Sequence, residues 1–260
     1  MRIAVIGAGV VGTATGLGMA RFGHQVTFGD TSARPLEKVA EGGHSIWLFG
    51  QEPPPQADIY LVCTPEEAVP EVVKGLALAQ GDLVIRSSTL PGTTEVLAGL
   101  LNRPVFHNPE FLRAAVALDD FLNARFAIIG RGGNIMGPCR MEALYRQMGM
   151  RIVWTSATMS ELVKLSVNCY LSTLISYWNE VHLLCEKLGI NSHYLARLAA
   201  QDSRVADYGA YKHGEPFGGA CLPKDLHRMI HFSREKGLEP MLLEAVEMVN
   251  LAMAVPCPRS

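Results

Sequence analysis

Short apolar runs alternate with longer stretches of mixed polarity through the first part of the chain. Residues 2–6 form an apolar run that ends at Gly7, the pattern of a strand buried on both faces. Residues 10–22 have helical spacing, and residues 25–28 give a second strand ending at Asp30. Further apolar runs fall at 58–63, 82–86, 104–107 and 125–129, the last closed by Gly130. Strands separated by helical segments predict a parallel sheet covered on both faces. The pattern changes near residue 155. Thr158-Met-Ser-Glu161 has the form of a capping box at a helix start. No Gly or Pro then interrupts the chain as far as about Leu188, and apolar residues lie around much of the helix this predicts. Such a helix calls for burial against other helices or a second subunit. Residues 192–201, 223–236 and 239–254 also read as helical, before Pro256-Cys-Pro-Arg-Ser260.

Composition narrows the class. In 260 residues, 48% are hydrophobic and 18% charged, which suits a chain with a substantial core. A formal net charge of −2 speaks against a nucleic-acid partner. No charged and apolar leader precedes the first strand, and no apolar run approaches the roughly 18 residues of a membrane span. Cys63, Cys139, Cys169, Cys185, Cys221 and Cys257 are scattered without metal-ligand spacing, so no metal is expected. They read as reduced thiols of a cytoplasmic protein.

Gly7-Ala-Gly9-Val10-Val11-Gly12 follows a strand and opens a helix, as a dinucleotide-binding turn does. The first glycine permits the tight turn, the second lets a pyrophosphate approach, and the third allows close helix–strand packing. Asp30, at the end of the second strand, is placed to accept the ribose hydroxyls and to repel a 2′-phosphate, which favours NAD over NADP; Arg34 nearby is the feature against. The fold class that results is α/β. A Rossmann-type NAD-binding domain spans 1–155, and an all-helical domain spans 156–260.

Three segments add chemistry. Cys221 follows Gly218-Gly219 and precedes a predicted helix start at Pro223, where a helix N-terminus favours a thiolate. The ordinary reading of a cysteine, a small buried hydrophobe, suits Cys63, Cys169 and Cys185 better. Glu161, Lys164 and Asn168 share one helix face, either as a functional set or as a solvated stripe. Asn108-Pro-Glu110 and Ser88-Thr89 each follow a strand, where α/β sheets present groups to a ligand.

These residues carry a resemblance to the nucleotide-sugar dehydrogenases, the UDP-glucose and GDP-mannose 6-dehydrogenase family. The matching motifs are Gly7 to Gly12, Val62-Cys-Thr-Pro65, Ser88-Thr-Leu-Pro91 with Gly92-Thr-Thr94, and Asn108-Pro-Glu-Phe-Leu-Arg113. Lys164 with Asn168, Asn179-Glu180, Asp202-Ser-Arg204 and Gly218-Gly-Ala-Cys-Leu-Pro-Lys-Asp225 complete the set. The resemblance implies oxidation of a primary alcohol to a carboxylate in two NAD-dependent steps. It implies that Cys221 attacks an aldehyde and that Lys164 and Asn168 stabilise the oxyanion. Asp225 would then hold the water or lysine that manages the proton, Glu110 would assist thioester hydrolysis and Thr89 would orient water. Thr64, Pro65, Ser88 and Thr89 would border the cofactor beside the glycine turn. Phe111, Leu112, Arg113, Lys164, Arg204 and Gly218 would meet the substrate, Arg204 from a neighbouring subunit of a homodimer.

Three departures accompany it. Ala114 stands where the family usually has a second glutamate, the stretch between Asp30 and Val62 is short, and the family's third domain is not seen after the last helix. Two other readings therefore stay open. One is a single-step alcohol or hydroxyacid dehydrogenase using Lys164. The other is a non-catalytic NAD-binding subunit of a hetero-complex.

Overall fold

A strand covered on both faces must send apolar side chains both ways, and the first strand does so. In β1 (Arg2–Ile6), Ile3 and Val5 enter one core while Ala4 and Ile6 enter another. The computed structural model describes residues 1–133 and 138–254; Cys257 and the chain end around it lie outside the described residues. After β1 come α1 (Val10–Arg21), β2 (Gln25–Asp30), α2 (Ala33–Glu41), β3 (Ser45–Leu48) and β4 (Ile59–Val62). Then follow α3 (Val69–Gly75), β5 (Asp82–Ile85), α4 (Thr93–Leu101), β6 (Val105–His107), α5 (Ala117–Leu122) and β7 (Phe126–Gly132). Next are α6 (Arg140–Gln147), β8 (Arg151–Ser156) and the long α7 (Ala157–Leu188). The chain continues through α8 (Ser192–Ala199), α9 (Asp207–Ala210), α10 (Leu222–Glu235) and α11 (Met241–Ala254).

Among the described residues the sheet has eight strands in the order β3-β2-β1-β4-β5-β6-β7-β8. The chain builds outward from β1 to β3, then returns to place β4 on β1's other side, with Ile6 paired to both Gly29 and Val62. This switch point opens a crevice at the carboxyl ends of β1 and β4, where such sheets bind ligands. β4 repeats the alternation of β1, with Ile59 and Leu61 in one core and Tyr60 and Val62 in the other.

The structure corrects the patterning in three places. The sheet is not wholly parallel, because β7 runs antiparallel to β6 and pairs Val105 with Gly132. Between them the only α-helix is the six-residue α5, which packs against α1 instead of carrying the chain back along the sheet. The two edge strands, β3 and β8, were not foreseen. β8 leaves all of its side chains exposed or half-buried, so it lacks the continuous apolar run of the central strands. Thr158 and Glu161 form no capping box either. α7 starts at Ala157, where the Ser156 hydroxyl accepts the Met159 N–H at 3.2 Å, and Glu161 turns inward to a different helix end.

The chain divides into two compact units, 1–164 and 165–260, with the division inside α7. The second unit has its own core. Cys169 and Ile175 of α7 pack with Leu226 and Ile230 of α10, Val246 of α11 and Phe217. Trp178, Ala196 and Ala210 make a second cluster. No helix among the described residues is long and apolar enough to cross a membrane.

Candidate active site

The glycine turn in the first unit is fixed by close approach. Gly7 has φ +99°, and a Cβ there would lie 2.5 Å from the Cys63 carbonyl oxygen. A Cβ on Gly12 would lie 1.9 Å from the Gly7 carbonyl oxygen, so only glycine lets α1 meet β1 here. Gly9 is different, because a Cβ on it would meet nothing within 4 Å. It is the N-cap of α1, no side chain caps that helix, and Val10 beside it is exposed. Open space over uncapped helix amides fits a dinucleotide's pyrophosphate. Asp30 stands at the same crevice and braces the turn. Its carboxylate accepts the Ala8 N–H at 2.9 Å and the Ser32 N–H at 3.0 Å.

The loops after β4 and β5 are joined. Ser87 Oγ donates to the Thr64 carbonyl at 2.6 Å, and the Leu90 N–H donates to Glu66 at 2.8 Å. Ser88 is half-buried and Pro65 exposed beside them. Thr89 is buried, and its hydroxyl goes to Glu161 at 3.2 Å. Glu161 also accepts the N–H groups of Gly92 and Thr94 and the Thr94 hydroxyl. It thus caps α4, and the four bonds hold a buried carboxylate whose pKa desolvation nonetheless raises. The stripe of Glu161, Lys164 and Asn168 is therefore not solvated; all three are buried.

Glu110, after β6, pairs with Lys164 at 2.9 Å, and both side chains are less than a tenth exposed. The other Glu110 oxygen accepts the Leu112 N–H at 2.7 Å, and the Lys164 ammonium lies 5.6 Å from the centre of the Phe111 ring. Sequence reasoning missed what supports this turn. Arg86 and Tyr145 both bond to Asn108 Oδ1, and Asn108 Nδ2 donates to the Ile128 carbonyl at 2.7 Å. A cation closing an apolar strand was the signal for Arg86; Tyr145 gave none. His107 is buried beneath the same turn. Nδ1 accepts from the Ser160 hydroxyl at 2.8 Å and Nε2–H donates to the Ser87 carbonyl at 3.3 Å, and burial lowers its pKa to about 3.

In the second unit, Cys221 is the exposed N-cap of α10. Burial pushes the thiols of Cys63, Cys139 and Cys169 up to about 12, and Cys185 is also buried. Asp225, one turn into α10, is fully buried. Its Oδ2 accepts from Asn168 Nδ2 at 2.6 Å and its N–H donates to the Cys221 carbonyl at 2.9 Å. No described residue hydrogen-bonds Asp225 Oδ1, and the Lys224 ammonium stands 3.7 Å from it. Two of the expected residues are engaged elsewhere: Arg113 pairs with Asp120 at 2.7 Å and Arg204 with Asp202 at 2.6 Å, both at the surface. Gly218 has open space around it.

Comparison with known proteins agrees with both units. Residues 158–252 match the central domain of the UDP-glucose/GDP-mannose dehydrogenase family. Residues 2–89 match the family described as NADP oxidoreductase coenzyme F420-dependent. UDP-glucose 6-dehydrogenase YwqF of Bacillus subtilis is 28% identical over 96% of this chain and 66% of its own length. A UDP-glucose dehydrogenase structure from Pyrobaculum islandicum superposes with a TM-score of 0.82 at 26% identity, over 96% of this chain and 68% of that one. The fold is shared more widely. 3-Hydroxyisobutyrate dehydrogenase of Mycobacterium tuberculosis gives a TM-score of 0.79 at 17% identity, over 97% of this chain and 93% of that one. The chain spans about two thirds of the length of the curated relatives it matches, and it is similar, over residues 158–252, to the central domain of the UDP-glucose/GDP-mannose dehydrogenase family.

Proposed function

We propose that this chain is an NAD-dependent dehydrogenase that oxidises the primary alcohol of a nucleotide sugar, or a smaller hydroxylated relative, to a carboxylate through a covalent adduct on Cys221. The observation that carries the reading is the exposed thiol at the start of α10, with buried Asp225 one turn behind it and bonded to Asn168. The functional domains are read as NAD-binding over 1–155 and helical, with the catalytic cysteine, over 156–260. Gly9 and the first turn of α1, with Asp30, Thr64, Pro65 and Ser88 at the neighbouring strand ends, would hold NAD. When bound, NAD supplies the hydride acceptor for both oxidations.

The chain's own groups handle the rest. Oxidation of the alcohol releases the hydroxyl proton to water held by Asp225. Cys221 Sγ then adds to the aldehyde carbon, and the carbonyl oxygen takes up negative charge. Lys164 has N–H groups beyond the one given to Glu110, and Asn168 has a second amide hydrogen, so each has a donor for that oxygen. The adduct loses hydride to become a thioester. Water, deprotonated by Glu110, then displaces the sulfur, giving the carboxylate and regenerating the thiol. A homodimer suits α7, where Tyr170, Tyr177 and Leu184 recur every seventh residue and are all exposed. The reduced cysteines suit a cytoplasmic protein.

A second reading rests on Ala114 and on the Glu110–Lys164 pair, which ties up the one glutamate left for hydrolysis. It is a single oxidation with Lys164 as the acid–base group. NADH counted against a panel of nucleotide sugars separates the two, with sedimentation of the same preparation reading the dimer. Two NADH per substrate, an acid product and loss of turnover in Cys221→Ser with NAD still bound are expected. One NADH and a product aldehyde, with Cys221→Ser as active as the native chain, would sink the adduct route.

A further inference from the structure

Cys221 is reached through residues 211–220, a stretch with no helix or strand of its own. Its backbone groups must therefore find partners outside regular structure. Two asparagines supply them. Asn179, fully buried on α7, accepts the Gly214 N–H at 2.8 Å and donates to the Glu215 carbonyl at 3.0 Å. Asn250, on α11, accepts the Phe217 N–H at 2.7 Å and donates to the Phe217 carbonyl at 3.1 Å. Each carboxamide thus meets one backbone donor and one backbone acceptor, as a neighbouring strand would. The Phe217 ring is buried in the core with Leu226 and Val246, so the segment is fixed by its side chain as well. Beyond Phe217 only Gly218, Gly219 and Ala220 lie between the clamped segment and the thiol, and both glycines have open space around them.

We propose that Asn179 and Asn250 are positioning residues for Cys221, holding residues 214–217 so that the thiol stays at the first turn of α10. This rests on the reading of Cys221 as nucleophile. Asparagine is required because it presents a donor and an acceptor on one short arm. Aspartate of the same shape offers acceptors only, and it faces the Phe217 or Glu215 carbonyl with a charged oxygen until it is protonated.

That difference makes the test. In the full chain, Asn250→Asp is expected to lower kcat for UDP-glucose with NAD by about 30-fold at alkaline pH, as small misplacements of reacting groups do, with both KM values within about twofold. The deficit should shrink as the pH is lowered and the new carboxyl regains a proton to donate. Exchange of the Phe217 amide, followed by NMR or mass spectrometry, should accelerate by about tenfold or more. Alkylation of Cys221 by iodoacetamide, which needs no substrate, should change in rate as the thiol loses its fixed place at the start of α10. Asn179→Asp provides the same signature independently, read at the Gly214 amide, if the first variant does not fold. An Asn250→Asp protein with native kcat, pH profile and alkylation rate overturns the proposal even if Cys221→Ser is inactive. Native turnover in Cys221→Ser overturns it by a different route, because the nucleophile reading itself then fails while Phe217 exchange still reports the clamp.

Discussion

The chain carries two glycine-rich turns that each open a helix, and they are built on opposite principles. At Gly7–Gly12 the glycines are dictated by the fold around them: a Cβ at Gly7 or Gly12 would strike backbone of the strand-end turns. At Gly218-Gly219 the surrounding chain dictates little. Gly219 has φ +78°, but a Cβ on either residue would meet nothing within 4 Å. The first turn is shaped by packing. The second is left empty and is held from behind by Asn179 and Asn250. A turn of the first kind is preformed whether or not a ligand arrives. A turn of the second kind leaves room beside the thiol that packing does not claim.

The contrast can be broken most severely at Gly12. A methyl group 1.9 Å from the Gly7 carbonyl oxygen cannot be accommodated by a side-chain shift, because the obstacle is backbone. Gly12→Ala should cost about 3 kcal/mol or more, which for a chain of this size lowers Tm by about 10 °C. NAD affinity should fall with it, since α1 must back away from β1. Calorimetry with and without NAD reads both effects, and a variant with native Tm would mean that the turn is not set by packing.

An intermediate effect is expected from acid, and it falls on the first unit through His107. The folded pKa is lowered from 6.5 to about 3 by burial between Ser160 and Ser87. The unfolded chain therefore takes up a proton that the folded chain refuses. The stabilisation is complete above pH 6.5 and is lost progressively as pH falls toward about 3. Denaturant titrations across that window should show a falling midpoint, and His107→Gln should show a flatter acid limb at lower overall stability. Equal acid slopes in the two proteins would remove His107 from the account.

The central strands and five of the eleven described α-helices (α1, α7, α8, α10 and α11) were legible because burial on both faces or one leaves a periodic trace. The edge strands β3 and β8 left none, since an edge needs no continuous apolar run. The glycine turn, Asp30 and Cys221 could be named from local pattern, and Asp225 only through the family resemblance. Their supports could not. Glu161 lies sixty-seven residues from the Thr94 amide it accepts, and Asn250 thirty-three from Phe217. Nothing in the local pattern of either sequence stretch records such a partner. Glu161 was placed on the correct helix face and assigned to the wrong helix end, because a capping box and an inward-facing cap share the same residue types.

The smallest effect on stability, and the most informative, is expected at Gly218. Its φ lies outside the left-handed region, and the space beside its Cα is open, so neither strain nor packing explains a glycine there. Alanine should change stability by no more than about 0.5 kcal/mol. If the empty space is where the substrate carbon approaches the Cys221 thiol, the same methyl group should raise KM about tenfold, or lower kcat/KM by that factor, while NAD affinity stays native. Gly9→Ala is the matched control in the other turn, where an equally unobstructed methyl should weaken NAD instead. A Gly218→Ala enzyme with native kcat/KM would show that the space is merely surface, and the second turn would then have no more reason to be open than any other loop.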